Sequence, residues 1–245
     1  MSTAKSIDSQ ISRMKAGQLF SYKDIPEYAE HSGAVVKALS RKAQSDEVVR
    51  IKKGLYYKAV MGRFGAMGPK NSDIIKYFTL DGNKTVGYIT GPFLYHCWGL
   101  TTQVPCEITI ATSKNELEKA DISGLRISTI SARTKVTKNN IEILQFLDVL
   151  RSVDQVPDTS SGEVIKKLAD KIRHYKSDRI KAMEKLAIDV YTPRTKALLG
   201  AFLETYRSYY SAPIRNALNP TSRYKISIPP TLLKNQGSWN LHFKK

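Results

Sequence analysis

The sequence has few cysteines and no long apolar run. Two of its 245 residues are cysteine, Cys97 and Cys106, which is too few for a disulfide framework, so we expect a reducing compartment and buried free thiols. No segment approaches the roughly 18–20 apolar residues that cross a bilayer, and residues 1–15 lack the apolar core of a signal peptide. These absences predict a cytoplasmic globular protein without a membrane partner.

The patterns of several enzyme classes are also missing. The sequence has no E-x-K or D-x-K pattern of a restriction-type nuclease, no D-x-D pair to hold two magnesium ions, and neither GxSxG nor HExxH. His96 could join Cys97 and Cys106 around zinc, but no fourth ligand lies nearby in the sequence, and we interpret it as a packing histidine. We therefore predict no catalytic residues, no metal site and no cofactor.

Acidic residues are scarce relative to basic ones, with 22 against 39 and a formal net charge of +17. The excess is uneven along the chain. Residues 1–70 contain 13 lysines and arginines against 6 acidic residues, residues 71–160 contain 9 against 10, and residues 161–245 contain 17 against 6. This distribution predicts two separate basic surfaces for a polyanionic partner.

The first 70 residues read as a small helical domain that ends in a β-hairpin. Apolar residues at helical spacing predict a first helix before Gly17, and residues 20–28 predict a short second one. Ser32 is a suitable N-cap for a third helix that runs to about residue 44. Strands are predicted at residues 48–52 and 55–58, around a turn at Gly54. We therefore predict a winged helix-turn-helix at residues 1–70.

The third helix and the hairpin each predict one cationic face. At 100° per residue, Val35, Val36, Leu39 and Ala43 share the inward side of the helix. Strand alternation places Tyr56 with the basic residues on the outward face of the hairpin. The predicted contacts with double-stranded DNA are Lys37, Ser40, Arg41, Gln44, Arg50, Lys52, Lys53 and Lys58. The alternative is that this basic rim is only solvated, on a domain used for protein contacts.

Glycines and Pro69 at residues 62–72 predict a linker, and residues 71–245 form the second predicted domain. Strands at 107–112 and 126–130, and a helix at 141–150, predict a larger mixed α/β domain, so that the whole chain is α+β. Two basic helices beyond residue 162 could form a second DNA surface or a plain solvated face. Their basic residues include Lys166, Lys167, Lys171, Arg173, Lys181 and Lys185.

A succession of motifs resembles one known family. After the predicted winged helix come GYITGPFLYHCWGLTTQVP, TPRTKALLGAFLE, LNPTSRYKISIPPTLL and a WNL ending. Nearly the whole chain, in this order, resembles the AbiEi-type antitoxins of bacterial type IV toxin–antitoxin systems. The resemblance implies a winged helix that binds repeats in its own promoter and represses the operon. It also implies a C-terminal domain that counteracts a cognate nucleotidyltransferase-like toxin in abortive infection, which is a phage defence.

In that family the basic residues of the winged helix contact DNA, which implies this role for Lys37, Arg41, Arg50, Lys52 and Lys53. Whether the toxin is bound directly, and whether the basic C-terminal helices serve DNA binding or antitoxicity, stays open. Two other functions also stay open. One is a stand-alone winged-helix regulator or chromosome-associated DNA-binding protein without a toxin partner, and the other is an enzyme acting on nucleic acid.

The charge of residues 1–70 predicts how binding responds to salt. Each phosphate that a lysine or arginine neutralises contributes a slope of about −0.9 in log K against log salt concentration. Binding to the DNA upstream of the gene should therefore weaken steeply between low and physiological salt, as measured by fluorescence anisotropy. A flat response would contradict the electrostatic basis of the prediction.

Overall fold

A computed structural model describes residues 3–62, 65–66 and 68–243 and gives a mixed α+β protein. The chain divides into two compact units, the first of Met1–Asn83 and Lys119–Ile127 and the second of Lys84–Glu118 and Ser128–Lys245. The predicted boundary between residues 70 and 71 therefore falls inside the first unit. Of the predicted linker at residues 62–72, residues 63, 64 and 67 lie outside the described part. Within the described residues, no helix has both the length and the apolar character that a membrane span requires.

The first unit combines helices with a three-stranded antiparallel sheet in the order β1-β3-β2. A kink at His31 (φ −129°, ψ 48°) divides its long helix α2 into two segments. The described elements are α1 (Thr3–Arg13), β1 (Leu19–Ser21), a 3-10 turn (Tyr22–Asp24), α2 (Tyr28–Gln44), β2 (Val48–Lys52), β3 (Leu55–Lys58), β4 (Met61–Gly62), β5 (Gly65–Ala66), α3 (Asn71–Thr79), β6 (Leu80–Asp81) and, later in the chain, β10 (Lys119–Ile122).

The core of the first unit lies between its helices and its sheet. Ile7 and Ile11, one turn apart on α1, are buried as their spacing predicts, and Leu39 of α2 is fully buried beside them. Phe20 of β1 and Tyr56 of β3 complete this core from the sheet. The predicted first helix and the helix after Ser32 are thereby confirmed.

The predicted short helix at residues 20–28, opening near Ser21, is only a 3-10 turn over Tyr22–Asp24, with Ser21 as its N-cap. Phe20 instead pairs with Tyr56 in the sheet, and the chain then makes a 3-10 turn. The turn is closed locally, because Ser21 Oγ accepts a hydrogen bond from Lys23 N (3.2 Å) and Asp24 Oδ2 accepts one from Ser21 N (2.6 Å). Sheet pairing to a distant strand has overridden the local helical pattern.

The inward and outward faces also differ from the prediction at two positions. Tyr56, expected outside, is 2% exposed, stacks on Phe20, and shares a hydrogen bond with Tyr22 (Oη to Oη, 3.2 Å). On α2, Val36 was expected inside but is 38% exposed, and Ala38 is buried instead. Leu55 and Tyr57, which were expected inside, are buried as well, so β3 is covered on both faces and alternation does not separate a core face from a solvent face there.

The second unit is mainly helical around a small sheet. Strand β9 lies between β8, with which it pairs antiparallel, and β11, and β12 and β13 pair in parallel. The predicted strands at 107–112 and 126–130 and the helix at 141–150 are confirmed. The described elements are β7 (Lys84–Thr85), β8 (Gly87–Thr90), α4 (Gly91–Cys97), β9 (Glu107–Thr112), β11 (Leu125–Ser131, from Ser128 in this unit), α5 (Ile141–Arg151), α6 (Ser161–Arg173), α7 (Ser177–Val190), α8 (Pro193–Arg207), α9 (Ala212–Asn216), β12 (Tyr224–Ile226) and β13 (Leu241–Phe243).

A buried carboxylate joins the sheet and helices of this unit. Asp148 of α5 is 6% exposed, and its Oδ2 accepts hydrogen bonds from Tyr88 Oη and Thr90 Oγ1 of β8, both at 2.9 Å. Its Oδ1 accepts one from Tyr191 Oη at 2.9 Å, and Arg133 Nε lies 3.8 Å away. Burial, reinforced by the nearby carboxylate, raises the pKa of both tyrosines far above the ordinary value, so they stay protonated donors.

The last tryptophan of the chain is held by α8. Trp239 is fully buried, and its Nε1 donates a hydrogen bond to Glu204 at 2.6 Å. Its ring lies against the backbone of α8 at Gly200, because a Cβ at that position would stand 2.5 Å from Trp239 Cη2 and closer still to two other ring atoms. The motifs TPRTKALLGAFLE and WNL therefore meet in one packing contact.

This contact predicts that Gly200→Ala destabilises the second unit. The indole ring is buried and cannot move aside, so we expect the free energy of unfolding to fall by about 1–3 kcal/mol or more, the usual effect of overpacking. Urea unfolding followed by tryptophan fluorescence measures the change. Gly237→Ala is the control, since a Cβ there would meet nothing within 4 Å. Equal stability of the two variants would contradict the contact.

Candidate nucleic-acid interface

The second segment of α2 presents a polar, cationic face to solvent. Val35, Ala38 and Leu39 are buried on one side of this segment. Because 3.6 residues make one turn, the side chains opposite them share a single exposed face. That face carries four of the predicted DNA contacts, all exposed, Lys37, Ser40, Arg41 and Gln44. The helix prediction thus located this face correctly, although it placed Val36 on the wrong side.

The basic residues of α2 divide into paired and unpaired groups. Within the described part of the chain, the side chains of Lys37 and Arg41 make no hydrogen bond or ion pair. Lys42, by contrast, has an 11% exposed side chain whose Nζ lies 2.9 Å from Asp8 and 2.6 Å from Glu47. Burial alone would lower the pKa of Lys42, but the hydrogen bonds to the two carboxylates outweigh it and raise the pKa. Lys42 therefore ties α2 to α1, whereas Lys37 and Arg41 keep their charge for a partner.

The β2–β3 hairpin carries a second group of cations. Lys53 is exposed at its tip, beside Gly54, whose φ of +83° is the left-handed conformation that the predicted turn requires. Arg50 is exposed on β2, and Lys52 is half-buried at the end of the same strand. A β-bulge between Arg50 and Lys52 breaks the strict alternation that placed them on one face.

Lys58 differs from the other predicted contacts. It is half-buried, and its Nζ donates hydrogen bonds to the carbonyl oxygens of Ser12 (2.7 Å) and Met14 (2.9 Å). These carbonyls lie at and just beyond the end of α1, where the helix dipole favours a positive charge. The ammonium is thus engaged in the fold, and it is less available to a phosphate than that of Lys53.

The predicted second basic surface is partly engaged as well. In the second unit, Lys167 donates a hydrogen bond to the carbonyl oxygen of Gly99, and Lys171 Nζ lies 4.3 Å from the centre of the Trp98 ring. These contacts border an open groove of about 360 Å³ between Trp98 and α6. Both lysines thereby hold the chain after α4 against α6.

The remaining residues of that surface are exposed on α6 and α7. Arg173 pairs with Asp170 at 3.2 Å, one turn earlier on α6. Lys166, Lys181 and Lys185 are exposed, and their side chains form no hydrogen bond or ion pair with another described residue. The surface therefore supplies three uncommitted cations, fewer than its sequence predicts.

The residues considered for metal or redox chemistry are dispersed. Both Cys97 and Cys106 are exposed, so the prediction of buried thiols is wrong. His96 is half-buried and its Nδ1 has no hydrogen-bond partner. Across the described ranges, no three histidine, cysteine, aspartate or glutamate side chains come close enough to hold a metal ion.

Comparisons with known proteins give a family match and a shared fold. A family of unknown function, DUF6088, matches residues 6–116. The crystal structure of the Rv2827c protein from Mycobacterium tuberculosis is similar to this chain over 99% of its length and 91% of the other, with a TM-score of 0.51 and 11% sequence identity. No curated protein matches the chain. At this identity the likeness concerns the fold alone.

Mutating a cation that is hydrogen-bonded within the fold should lower the free energy of unfolding more than mutating an exposed one. Lys58→Met removes hydrogen bonds from a charged but half-exposed group, so we expect a loss of about 1 kcal/mol in unfolding free energy. Arg41→Ala and Lys53→Met, at exposed positions that form no such bond with a described residue, should change it by less than about 0.5 kcal/mol. Urea unfolding of the three variants measures this. Lys53→Met is the matched control for Lys58→Met, and equal losses would show that Lys58 has no structural role.

Proposed function

We propose that this protein is a cytoplasmic DNA-binding antitoxin that represses its own operon and counteracts a nucleotidyltransferase-like toxin. The DNA-binding part of this proposal rests on the exposed cationic face of α2 beside the basic hairpin. Its elements follow the order helix, strand, helix, kink, helix, hairpin, which supports a winged helix-turn-helix. In such domains the second helix of the pair lies in the major groove, where its side chains contact base edges.

The dimensions of this face fit the proposed partner. From Ser32 to Gln44, α2 is roughly 20 Å long at 1.5 Å per residue, and the major groove of B-DNA is about 12 Å wide and admits one helix. Arg41 offers a bidentate donor of the kind that recognises guanine, while Ser40 and Gln44 can hydrogen-bond to base edges. Lys53 at the hairpin tip provides a point charge for the phosphate backbone.

The antitoxin part of the proposal rests on the sequence motifs that resemble the AbiEi-type antitoxins. Those motifs lie mainly in the second unit, and this unit also carries the uncommitted lysines of α6 and α7. A stand-alone DNA-binding regulator would need the same α2 face but no toxin gene beside its own. The two functions are separated by testing neutralisation and repression independently in the intact chain.

Two variants test the roles within the DNA-binding face. Arg41→Ala should cost about 1–3 kcal/mol in binding to upstream DNA and relax specificity at one base pair, because it removes a base contact. Lys53→Ala should weaken operator and random DNA alike and lower the salt slope by about one, because it removes a phosphate contact. Anisotropy titrations on both duplexes measure these effects. Equal losses on operator and random DNA for both variants would contradict the placement of α2 in the groove.

A double variant tests the division of functions. Lys37→Ala with Arg41→Ala should abolish repression of a promoter reporter, since it removes two exposed cations of α2, yet leave neutralisation of a co-expressed toxin from the neighbouring gene intact. Cell growth and reporter activity are measured in the same strain. Lys84→Ala with Lys138→Ala is the matched control, because it removes two exposed lysines of the second unit outside its basic helices and should keep both activities. Loss of neutralisation in the α2 variant would contradict separate functions, and the absence of any neutralisation by the wild type would favour the stand-alone regulator.

A further inference from the structure

An exposed apolar side chain borders the proposed DNA-binding face. Val36 is 38% exposed. Of the described side chains in the first unit, it and Leu80 are the large apolar ones classed as exposed. A single exposed valine is ordinary on a protein surface. Its position is what matters, because Val36 lies one turn before Ser40, at the edge of the face that carries Lys37 and Arg41.

The side chains one turn before Val36 are short, so they leave its methyl groups accessible. The residues one turn before it are Ser32 and Gly33, both exposed. A Cβ added at Gly33 would meet nothing within 4 Å, so the space beside the helix is open there. A flat partner could therefore approach the valine methyl groups to van der Waals distance, about 4 Å.

The side chain itself suits a rigid contact. A β-branched residue in a helix holds one χ1 rotamer in about nine cases of ten. Burying Val36 against a partner would therefore cost little side-chain entropy, unlike burying a long polar side chain. Its two methyl groups offer only apolar surface, whereas the side chains of the neighbouring face, such as Ser40 and Arg41, can form hydrogen bonds.

We infer that Val36 reads a thymine, by packing its methyl groups against the 5-methyl group of the base in the major groove. This inference rests on the proposed DNA binding by α2. In the major groove the thymine methyl is the apolar feature of the base edges, and it is recognised by apolar contacts. The thymine should lie beside the base that Ser40 contacts, because Ser40 follows Val36 by one turn on the same side of the helix.

Replacing thymine by uracil tests the inference, since it removes the 5-methyl group and keeps the hydrogen-bonding pattern of the base. The duplex is the upstream DNA of the gene, with each thymine replaced in turn, and affinities are measured by anisotropy. For the wild type we expect one thymine in each binding site at which uracil weakens binding about fourfold, the effect of removing one methyl-sized apolar contact.

The variant Val36→Ala completes a double-mutant cycle. It should bind the thymine duplex more weakly than the wild type and respond less than about twofold to uracil at the same position, because the contact is already lost. Alanine favours the helix and position 36 is exposed, so the fold should be retained, as checked by circular dichroism. Leu80→Ala, an exposed apolar residue outside α2, is the matched control and should keep the wild-type response to uracil.

The outcomes distinguish this inference from the proposed function. If the wild type binds the duplex but no thymine responds to uracil, or if the response persists in Val36→Ala, the thymine contact is wrong and DNA binding stands. If the wild type does not bind upstream DNA better than random DNA, the proposed operator binding is wrong, and the inference falls with it. A response that disappears only in Val36→Ala supports both.

Discussion

Asp148 accepts hydrogen bonds from, or lies beside the charge of, four residues in three separate stretches of the second unit. Tyr88 and Thr90 reach it from β8, Tyr191 from the end of α7, and Arg133 from the chain after β11. A buried carboxylate is costly unless its oxygens are hydrogen-bonded, so these donors must all be in place for the unit to fold. The network therefore fixes the sheet, α5 and the α7–α8 junction in one arrangement.

A second set of contacts closes the end of the chain onto the same helices. Trp239 packs on Gly200 and donates to Glu204, while the guanidinium of Arg194 donates to the carbonyl oxygens of Lys225 and Arg151 and pairs with Asp154. The motifs that resemble the antitoxin family thus include residues that hold the fold together. This explains why a resemblance in these motifs says more about architecture than about chemistry.

The cations of the first unit fall into two groups, those that bind other groups of the fold and a free group of exposed ones. Lys42 and Lys58 bind carboxylates or helix carbonyls, and they stabilise the unit. Lys37, Arg41 and Lys53 are exposed and have no such partner among the described residues, so they are the charges available to a polyanion. A net charge counted from the sequence includes both kinds, and it therefore overstates the electrostatic contribution to binding. The proposed DNA binding depends on this free group.

Local patterns in the sequence determined α1, the second segment of α2, the turn at Gly54 and the exposed face with Lys37 and Arg41. Helical spacing and a positive φ at glycine act over a few residues, and each can be identified without knowing the rest of the fold. Only the tertiary structure decided the features that depend on residues far away in the sequence. Residues 20–28 became a strand and a turn because β3 was there to pair with, and Tyr56 turned inward to meet Phe20.

The same reason explains the other differences. Lys58 turned to the end of α1, Ala38 and not Val36 faces the core, and Lys119–Ile127 joined a unit whose other residues end at Asn83. The donors around Asp148 are separated by up to about a hundred residues in sequence, from Tyr88 to Tyr191. No periodicity spans such distances, so only packing of the whole chain could bring these groups together.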